Sequence, residues 1–131
     1  MPVITHSPTT RNAICTTVAS QVDSGTTNTG GRLRILTASD TLLVELILAN
    51  PSFAAASGGS MQLNNAASGT PVATGTAAWA IFINRNNAEV LRSDVTASGG
   101  TGGVTSLPST SITTGVPIAL TGTPVTYSAP L

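Results

Sequence analysis

Short apolar runs interrupted by turn-forming residues fill the chain from Gly31 onward. The run Arg32–Thr37 alternates, which places Leu33 and Ile35 on one face of a strand and the two arginines on the other. Thr41–Asn50 is apolar in both phases, so we expect a strand that is central in its sheet or covered on both sides. One phase of this run comprises Leu42, Val44, Leu46 and Leu48.

The clearest hairpin joins Ala77–Asn84 to Ala88–Val95 through the turn Asn86–Asn87, because Asn adopts positive φ at low cost. Trp79, Ile81 and Ile83 share one face of the first arm, and Ala78, Ala80 and Phe82 share the other. Thr96–Ser106, with four glycines, is expected to be a loop. Weaker strands are predicted around Met61–Leu63 and in three closing runs: Ser109–Thr114, Val116–Thr121 and Pro124–Ser128.

One helix is predicted ahead of the strands, over residues 9–23, capped by Thr9 or Thr10 and ended by Gly25. Its apolar face comprises Ile14, Cys15, Val18, Ala19 and Val22. Residues 1–8 are expected to form an extended N-terminal arm and residues 123–131 an extended C-terminal tail. The pattern therefore predicts a mainly-β fold: a β-sandwich or jelly-roll-like domain over residues 9–122, with seven to eight short strands and one N-terminal helix.

Charge is unusually scarce: five arginines, no lysine and five acidic residues give 8% charged residues and a net charge of zero. An average domain has roughly 25%. A surface with so little charge is suited to being covered by neighbouring molecules. The arginines are dispersed and balanced by acids, so we expect no nucleic-acid binding. The longest apolar-rich run, Leu42–Ala49, is too short for a membrane span of about 20 residues, so no membrane partner is expected.

Residues able to carry chemistry are few. His6 is the single histidine and is expected to be a solvent-exposed arm residue, and Cys15 is the single cysteine and is expected to be a buried apolar side chain. No catalytic, metal or cofactor-binding set is predicted, and we expect no enzyme activity. Glu45, inside the most apolar run, needs a partner such as Arg32 or Arg34, unless its strand face is exposed. Trp79 is predicted to be a core or interface anchor rather than a sugar-stacking platform.

Several blocks occur in a recognisable order. They are Thr9–Ala13, Gly31–Ile35, Thr41–Leu43 with Glu45–Leu46, Asn50–Pro51–x–Phe53, Thr74–Ala77–x–Trp79 and Ser111–Gly115. This order, over roughly residues 9–126, resembles small virion structural proteins of tailed bacteriophages. The blocks mark turns and core positions, so no catalytic residue accompanies the resemblance.

The resemblance implies a capsid decoration (cement or minor capsid) protein on the virion head surface, synthesised in the host cytoplasm. Its expected partners are the major capsid protein and itself, as a homotrimer. The terminal arms are then expected to lie across neighbouring subunits, with an interface made by Met1, Pro2, Val3, Ile4, His6, Pro124, Tyr127 and Leu131.

Two other functions fit the sequence. One is a tail, neck or fibre-attachment component, which differs from a decoration protein in having only a few copies per particle. The other is a carbohydrate-binding adsorption module, which requires an exposed aromatic platform at Trp79 or Tyr127.

Overall fold

The computed structural model describes residues 4–64, 68–97, 105–107, 110–119 and 126–128. Within them the chain is mainly β, with one N-terminal helix, which confirms the predicted fold class. The elements are α1 (Pro8–Asp23), β1 (Arg32–Leu36), β2 (Leu42–Ile47), β3 (Ser60–Gln62), β4 (Ser68–Gly69), β5 (Gly75–Thr76), β6 (Trp79–Ile83), β7 (Glu89–Ala97), β8 (Thr105–Leu107), β9 (Ser111–Ile112), β10 (Ile118–Ala119) and β11 (Thr126–Ser128). The described ranges contain eleven strands rather than the predicted seven or eight, because β4, β5 and β8 lie in small polar segments whose residues do not alternate.

The largest sheet has the strand order β2-β1-β6-β7-β8. β2, β1, β6 and β7 pair antiparallel, and β8 runs parallel to β7. Residues 96–106 were predicted to be a loop, but residues 96–97 belong to β7 and residues 105–106 belong to β8. On the inner face of this sheet, Leu33 and Ile35 of β1 lie beside Val44 and Leu46 of β2 and beside Ala80 and Phe82 of β6. All six of these side chains are buried, so the predicted inward phase of β1 is confirmed.

Strand β2 corrects two sequence predictions. It is an edge strand rather than a central one, and it is not covered on both sides, since Glu45 is half-buried and Ile47 is exposed on its outer face. A β-bulge opposite Leu36 also places Leu42 on the outer face, although Leu42 was predicted to share a face with Val44 and Leu46. Leu36 pairs with Leu42, whereas Ile35 pairs with Val44. The extra residue, Leu43, turns into the core, and Leu42 packs with Leu36 on the opposite, outer face.

Helix α1 packs on the inner face of the sheet through the predicted residues. Cys15 and Val22 are buried, and Ile14, Val18 and Ala19 pack against the same core. The N-cap is Ser7, whose Oγ accepts a hydrogen bond from the Thr10 backbone N–H at 3.2 Å. Pro8, predicted in the arm, is therefore the first helical residue, where its missing N–H costs nothing.

The loop after the helix is tied to the β6–β7 turn. Gly25 adopts φ +115°, and the Asn86 side chain lies where a Cβ of residue 25 would be, so this position requires Gly. Asn86 Oδ1 accepts hydrogen bonds from the backbone N–H groups of Thr26 and Thr27. Within the turn, Asn84 Oδ1 accepts from the N–H groups of residues 86 and 88, and Asn87 adopts φ +66°, as predicted for a tight hairpin.

Segments 68–76 and 111–119 form one interrupted two-stranded ribbon. The ladders β4–β10 and β5–β9 share the same register, and the two bends between them, 70–74 and 113–117, face each other. The ribbon covers the free edge of β2: the Val72 N–H donates to the Leu43 carbonyl at 2.8 Å, and a Cβ at Gly69 would collide with the Glu45 carbonyl. An edge that would otherwise offer unpaired backbone groups is thus closed.

The other small ladder joins β3 to β11, with Tyr127 opposite Met61. Residues 126–128, predicted within a tail that crosses neighbouring subunits, therefore pair within their own chain. Phe53 folds back as predicted: it is buried, and its ring centroid lies 5.6 Å from that of Phe82.

Phe82→Ala is expected to lower the free energy of unfolding by about 3–5 kcal/mol, because it removes a fully buried ring that packs against the ring of Phe53. Ile47→Ala, at a side chain that is 55% exposed, is the matched control and should change it by about 0.5 kcal/mol or less. Equilibrium denaturation in guanidinium chloride measures both. Equal losses in the two variants would contradict the assignment of the core.

Candidate interaction surfaces

The outer face of the main sheet collects most of the charge of the chain. All ten charged residues lie within the described ranges, and seven of them are on this face or its rim. They are Arg32, Arg34, Asp40, Glu45, Glu89, Arg92 and Asp94. Charge is therefore not only scarce but also confined mainly to one side of the molecule.

Glu45 lies between two arginines at the β2 side of this face. Its Oε2 is 2.7 Å from Arg34 Nε, and its Oε1 is 3.6 Å from Arg32 Nε. Arg34 is its direct cross-strand neighbour, so the predicted partner is confirmed. The Glu45 side chain is 34% exposed, and a pair of this exposure contributes only about 0.2–1 kcal/mol. The group is thus both paired and solvated.

Arg92 contacts two acidic side chains and the ring of Trp79. Its Nη1 is 2.8 Å from Asp40 Oδ1, its Nη2 is 3.5 Å from Glu89 Oε1, and its Cζ lies 5.5 Å from the centroid of the Trp79 ring. The hydrogen bond with Asp40, supported by the charges of Asp40 and Glu89, raises the pKa of the Arg92 guanidinium. The group is permanently charged and attracted to the face of the ring.

Between these ion pairs lies a groove of about 310 Å³ that runs along β6. Its floor is apolar and consists of Leu36, Leu42, Ile81 and Ile83. Its rim is polar and consists of Arg34, Asp40, Asn87 and Glu89. The neighbouring strands β2, β1 and β6 contribute the floor residues. The β-bulge turns Leu42 outward, and Leu42 completes one end of the groove.

A second apolar surface lies on the ribbon. Val72 is 67% exposed and Val116 is 57% exposed, and they are on the two facing bends. The bends are joined by hydrogen bonds from the Gly115 N–H to the Pro71 carbonyl and from the Thr114 N–H to Thr74 Oγ1. We call Val72 and Val116 the valine patch. Among the described residues, only Ile4 and Ile47 are other large apolar side chains of comparable exposure.

The exposed side of α1 carries no charge. It consists of Pro8, Thr9, Thr10, Ala13, Thr16, Thr17, Ser20 and Gln21. The two charged residues of the helix, Arg11 and Asp23, are half-buried. Arg11 packs over Gly59, and Asp23 Oδ1 accepts a hydrogen bond from the Ser52 N–H at 3.0 Å. The uncharged helix side and the charged outer face lie on opposite sides of the main sheet.

The predicted interface residues fall into three groups. Ile4 is 77% exposed and His6 is exposed, in the short segment ahead of α1. Tyr127 is in β11. Met1, Pro2, Val3, Pro124 and Leu131 lie outside the described residues. The groove and the valine patch were not predicted from the sequence. The alternating outer phase of β6 signalled the groove floor, whereas no sequence pattern marked the paired bends.

The buried thiol of Cys15 is half-way along α1 and donates a weak hydrogen bond to the Gly59 carbonyl at 3.4 Å. It is fully buried, as predicted. The described ranges hold no group of three or more His, Cys, Asp or Glu side chains placed to bind a metal ion. Nor do they hold a helix with the length and hydropathy of a membrane span.

Arg92→Ala is expected to shift the fluorescence emission of Trp79 to longer wavelength, because the ring loses the guanidinium that lies over it and gains contact with water. Trp79 is the single tryptophan, so its emission spectrum can be interpreted directly. Arg32→Ala, at the far end of the same face, is the control and should leave the spectrum unchanged. An unchanged spectrum in Arg92→Ala would contradict the described contact.

Comparison of the chain with protein-family models, with curated proteins and with solved structures finds no match in any of the three.

Proposed function

We propose that this chain is a non-enzymatic structural protein of a virion, and specifically a decoration protein that binds the shell of a tailed-bacteriophage head in many copies. The observation that carries the proposal is the separation of charge in the fold. Seven of the ten charged residues occupy one side of the main sheet, and the exposed side of α1 has none. The order of sequence blocks that resembles phage virion proteins supports the same function.

The helix side is the surface that we expect to face the shell. The cores of protein interfaces are depleted in charged residues, because an unpaired charge is costly to remove from water. Threonine, serine and alanine side chains can be covered without that cost, provided that their hydroxyl groups keep hydrogen bonds. Thr16 and Thr17 already donate to the Asn12 and Ala13 carbonyls of their own helix.

The outer face of the sheet then faces away from the shell and supplies the charge that keeps the decorated particle soluble. Six of its seven charged residues form ion pairs with one another: Arg32, Arg34 and Glu45 in one group, and Asp40, Glu89 and Arg92 in the other. The action of the protein is mechanical: a rigid domain bridges adjacent shell subunits, and many weak contacts add up through avidity.

Residues 4–7 extend this contact surface beyond the helix. Ile4 and His6 are exposed in the segment that leads into the Ser7 cap, so they are available to a neighbouring subunit. Ser7 caps the helix, which sets the boundary of the arm at residue 6.

Of the other functions considered, carbohydrate binding is disfavoured by the contact of Arg92 with the ring of Trp79. A position in the tail or neck would use the same uncharged surfaces, and the number of copies per particle separates it from shell decoration.

Quantitative mass spectrometry of purified particles is the first test. A ratio near one copy of this chain per major shell subunit is the expected result. A few copies per particle would place the protein in the tail or neck, and its absence from particles would reject a virion function.

A charge on the helix side tests which surface faces the shell. Ala13→Glu, on the exposed side of α1, is expected to weaken binding to undecorated shells by at least about tenfold, because the carboxylate would lose water without gaining a partner. Ala38→Glu adds the same group at the exposed β1–β2 turn and should bind normally. Co-sedimentation with shells measures both. Similar binding by the two variants would contradict the proposed orientation.

Deletion of residues 1–6, which keeps the Ser7 cap, is expected to reduce shell occupancy while leaving the thermal unfolding temperature unchanged. Deletion of residues 1–7 is the comparison, because it also removes the cap and should destabilise the domain by about 0.5–2 kcal/mol. Unchanged occupancy after the shorter deletion would exclude a role for the arm.

A further inference from the structure

Helix α1 ends on a carboxylate. Asp23 is its last residue, at the end where the aligned peptide dipoles already place a partial negative charge. The last turn contains no basic residue. A carboxylate is unfavourable at this end of a helix, because its charge adds to the dipole instead of opposing it. The Asp23 side chain is half-buried, so water compensates for the charge only in part.

The arginines of the chain do not supply the missing positive charge. No ion pair within the described ranges involves Asp23. Arg11 lies at the opposite end of the helix. Arg85 lies beside the helix end, since its backbone N–H donates to the Ser24 carbonyl at 2.9 Å, but its Nε donates to the Asn28 carbonyl at 2.7 Å. The Asp23 carboxylate therefore has a hydrogen-bond donor but no cation as its neighbour.

A buried hydroxyl group lies beside this carboxylate. Ser52 donates its backbone N–H to Asp23 Oδ1 at 3.0 Å, and its own carbonyl accepts from the Asn64 N–H at 2.9 Å, so the residue is held in place. Its side chain is fully buried, and its Oγ has no hydrogen-bond partner among the described residues. Native proteins satisfy nearly all such groups, with protein atoms, with water or with an ion.

We propose that the Asp23 carboxylate and the Ser52 hydroxyl bind a hard cation, of the class of Na⁺ and Ca²⁺, at the C-terminal end of α1. Ions of this class take oxygen ligands, both carboxylates and neutral oxygen atoms. A single cation opposes the carboxylate and the helix dipole together, and it also gives the buried hydroxyl oxygen a partner. One ion thus compensates all three unfavourable features of this helix end.

The affinity of the site is set by its small ligand charge. It has one carboxylate, and the described ranges hold no cluster of three or more His, Cys, Asp or Glu side chains that could bind an ion more tightly. We therefore expect a dissociation constant on the order of 1 mM for Ca²⁺. Mg²⁺ is expected to bind more weakly, because it demands near-ideal octahedral geometry and gives up its water reluctantly.

Binding should stabilise the fold, because the two ligands belong to different segments. Asp23 ends the helix, and Ser52 directly precedes Phe53, which is buried against Phe82. A cation between them joins the helix to the chain that enters the core. This role needs neither a shell nor a second copy, so it stands or falls independently of the proposed function.

Thermal unfolding of the purified chain, followed by circular dichroism, tests the site. Na⁺, Ca²⁺ and Mg²⁺ are added separately, and tetramethylammonium chloride, whose methyl groups keep oxygen ligands away, holds the ionic strength constant. About 10 mM Ca²⁺ or about 100 mM Na⁺ is expected to raise the unfolding temperature by about 3–5 °C, the gain for an ion at tenfold its dissociation constant. The ion that acts at the lower concentration is the one that the site selects.

Ser52→Ala should reverse its rank with and without the ion. Without Na⁺ and Ca²⁺ it is expected to unfold at the temperature of the wild type or above it, because it removes an unpaired buried hydroxyl. With the ion the wild type should be the more stable of the two. Asp23→Asn keeps an oxygen atom for the Ser52 N–H but loses the charge, so its dissociation constant in calorimetric titration should rise at least about tenfold. Asp94→Asn makes the same change at an exposed carboxylate and should respond as the wild type does.

Three results overturn the proposal. The first is an unfolding temperature that Na⁺ and Ca²⁺ leave unchanged. The second is a response that persists in Asp23→Asn and Ser52→Ala, because the ion would then bind elsewhere. The third is a Ser52→Ala chain that is less stable than the wild type even without these ions, because the hydroxyl would then have a partner within the protein.

Discussion

The alternation of strand β1 is the constraint on which the rest of this structure depends. β1 lies between β2 and β6 and pairs with both. The side chain of each β1 residue therefore lies on the same face of the sheet as the side chains of its partners in β2 and β6. Leu33 and Ile35 thereby define the inner face, and Arg32 and Arg34 define the outer one. These two arginines and five charged residues of neighbouring segments make the outer face the charged side of the molecule, because only ten residues of the chain are charged.

A β-bulge between β1 and β2 changes one end of that face. The bulge opposite Leu36 places Leu42 outside and Leu43 in the core, so one apolar residue is exchanged for another without loss to the core. The same strand has its free edge closed by the ribbon, whose hydrogen bond to Leu43 fixes the bends that carry Val72 and Val116. The groove and the valine patch thus both depend on the first residues of β2.

The uncharged remainder of the surface accounts for the kind of function proposed. Isolated soluble domains use charge over most of their surface, whereas a subunit that is covered on several sides needs it only where water remains. In this chain six of the ten charged residues form ion pairs with one another on one face of the main sheet. That arrangement suits a protein that works by contact with other copies and with a larger assembly.

Strands with strong local patterns could be predicted from the sequence. The alternation of Arg32–Ile35, the turn residues Asn86–Asn87 and the apolar face of α1 each determine their structure within a few residues of the chain. The Glu45 pair was predictable for a similar reason, because a carboxylate in an apolar run needs a cation on the next strand. The N-cap was predicted at Thr9 or Thr10 but is Ser7, because the sequence cannot distinguish serine and threonine residues that have the same capping chemistry.

Long-range pairing decided the rest. The edge position of β2, its bulge, the pairing of residues 126–128 with β3 and the facing bends of the ribbon depend on partners far away in sequence. Two-residue ladders such as β4–β10 and β5–β9 leave no alternating pattern in the sequence, because hydrogen bonds between backbone groups hold them together. The sequence by itself therefore determined the mainly-β class, the helix, the hairpin and the scarcity of charge. Only the tertiary structure decided where the charges gather and which apolar side chains stay exposed, because both follow from which strands become neighbours.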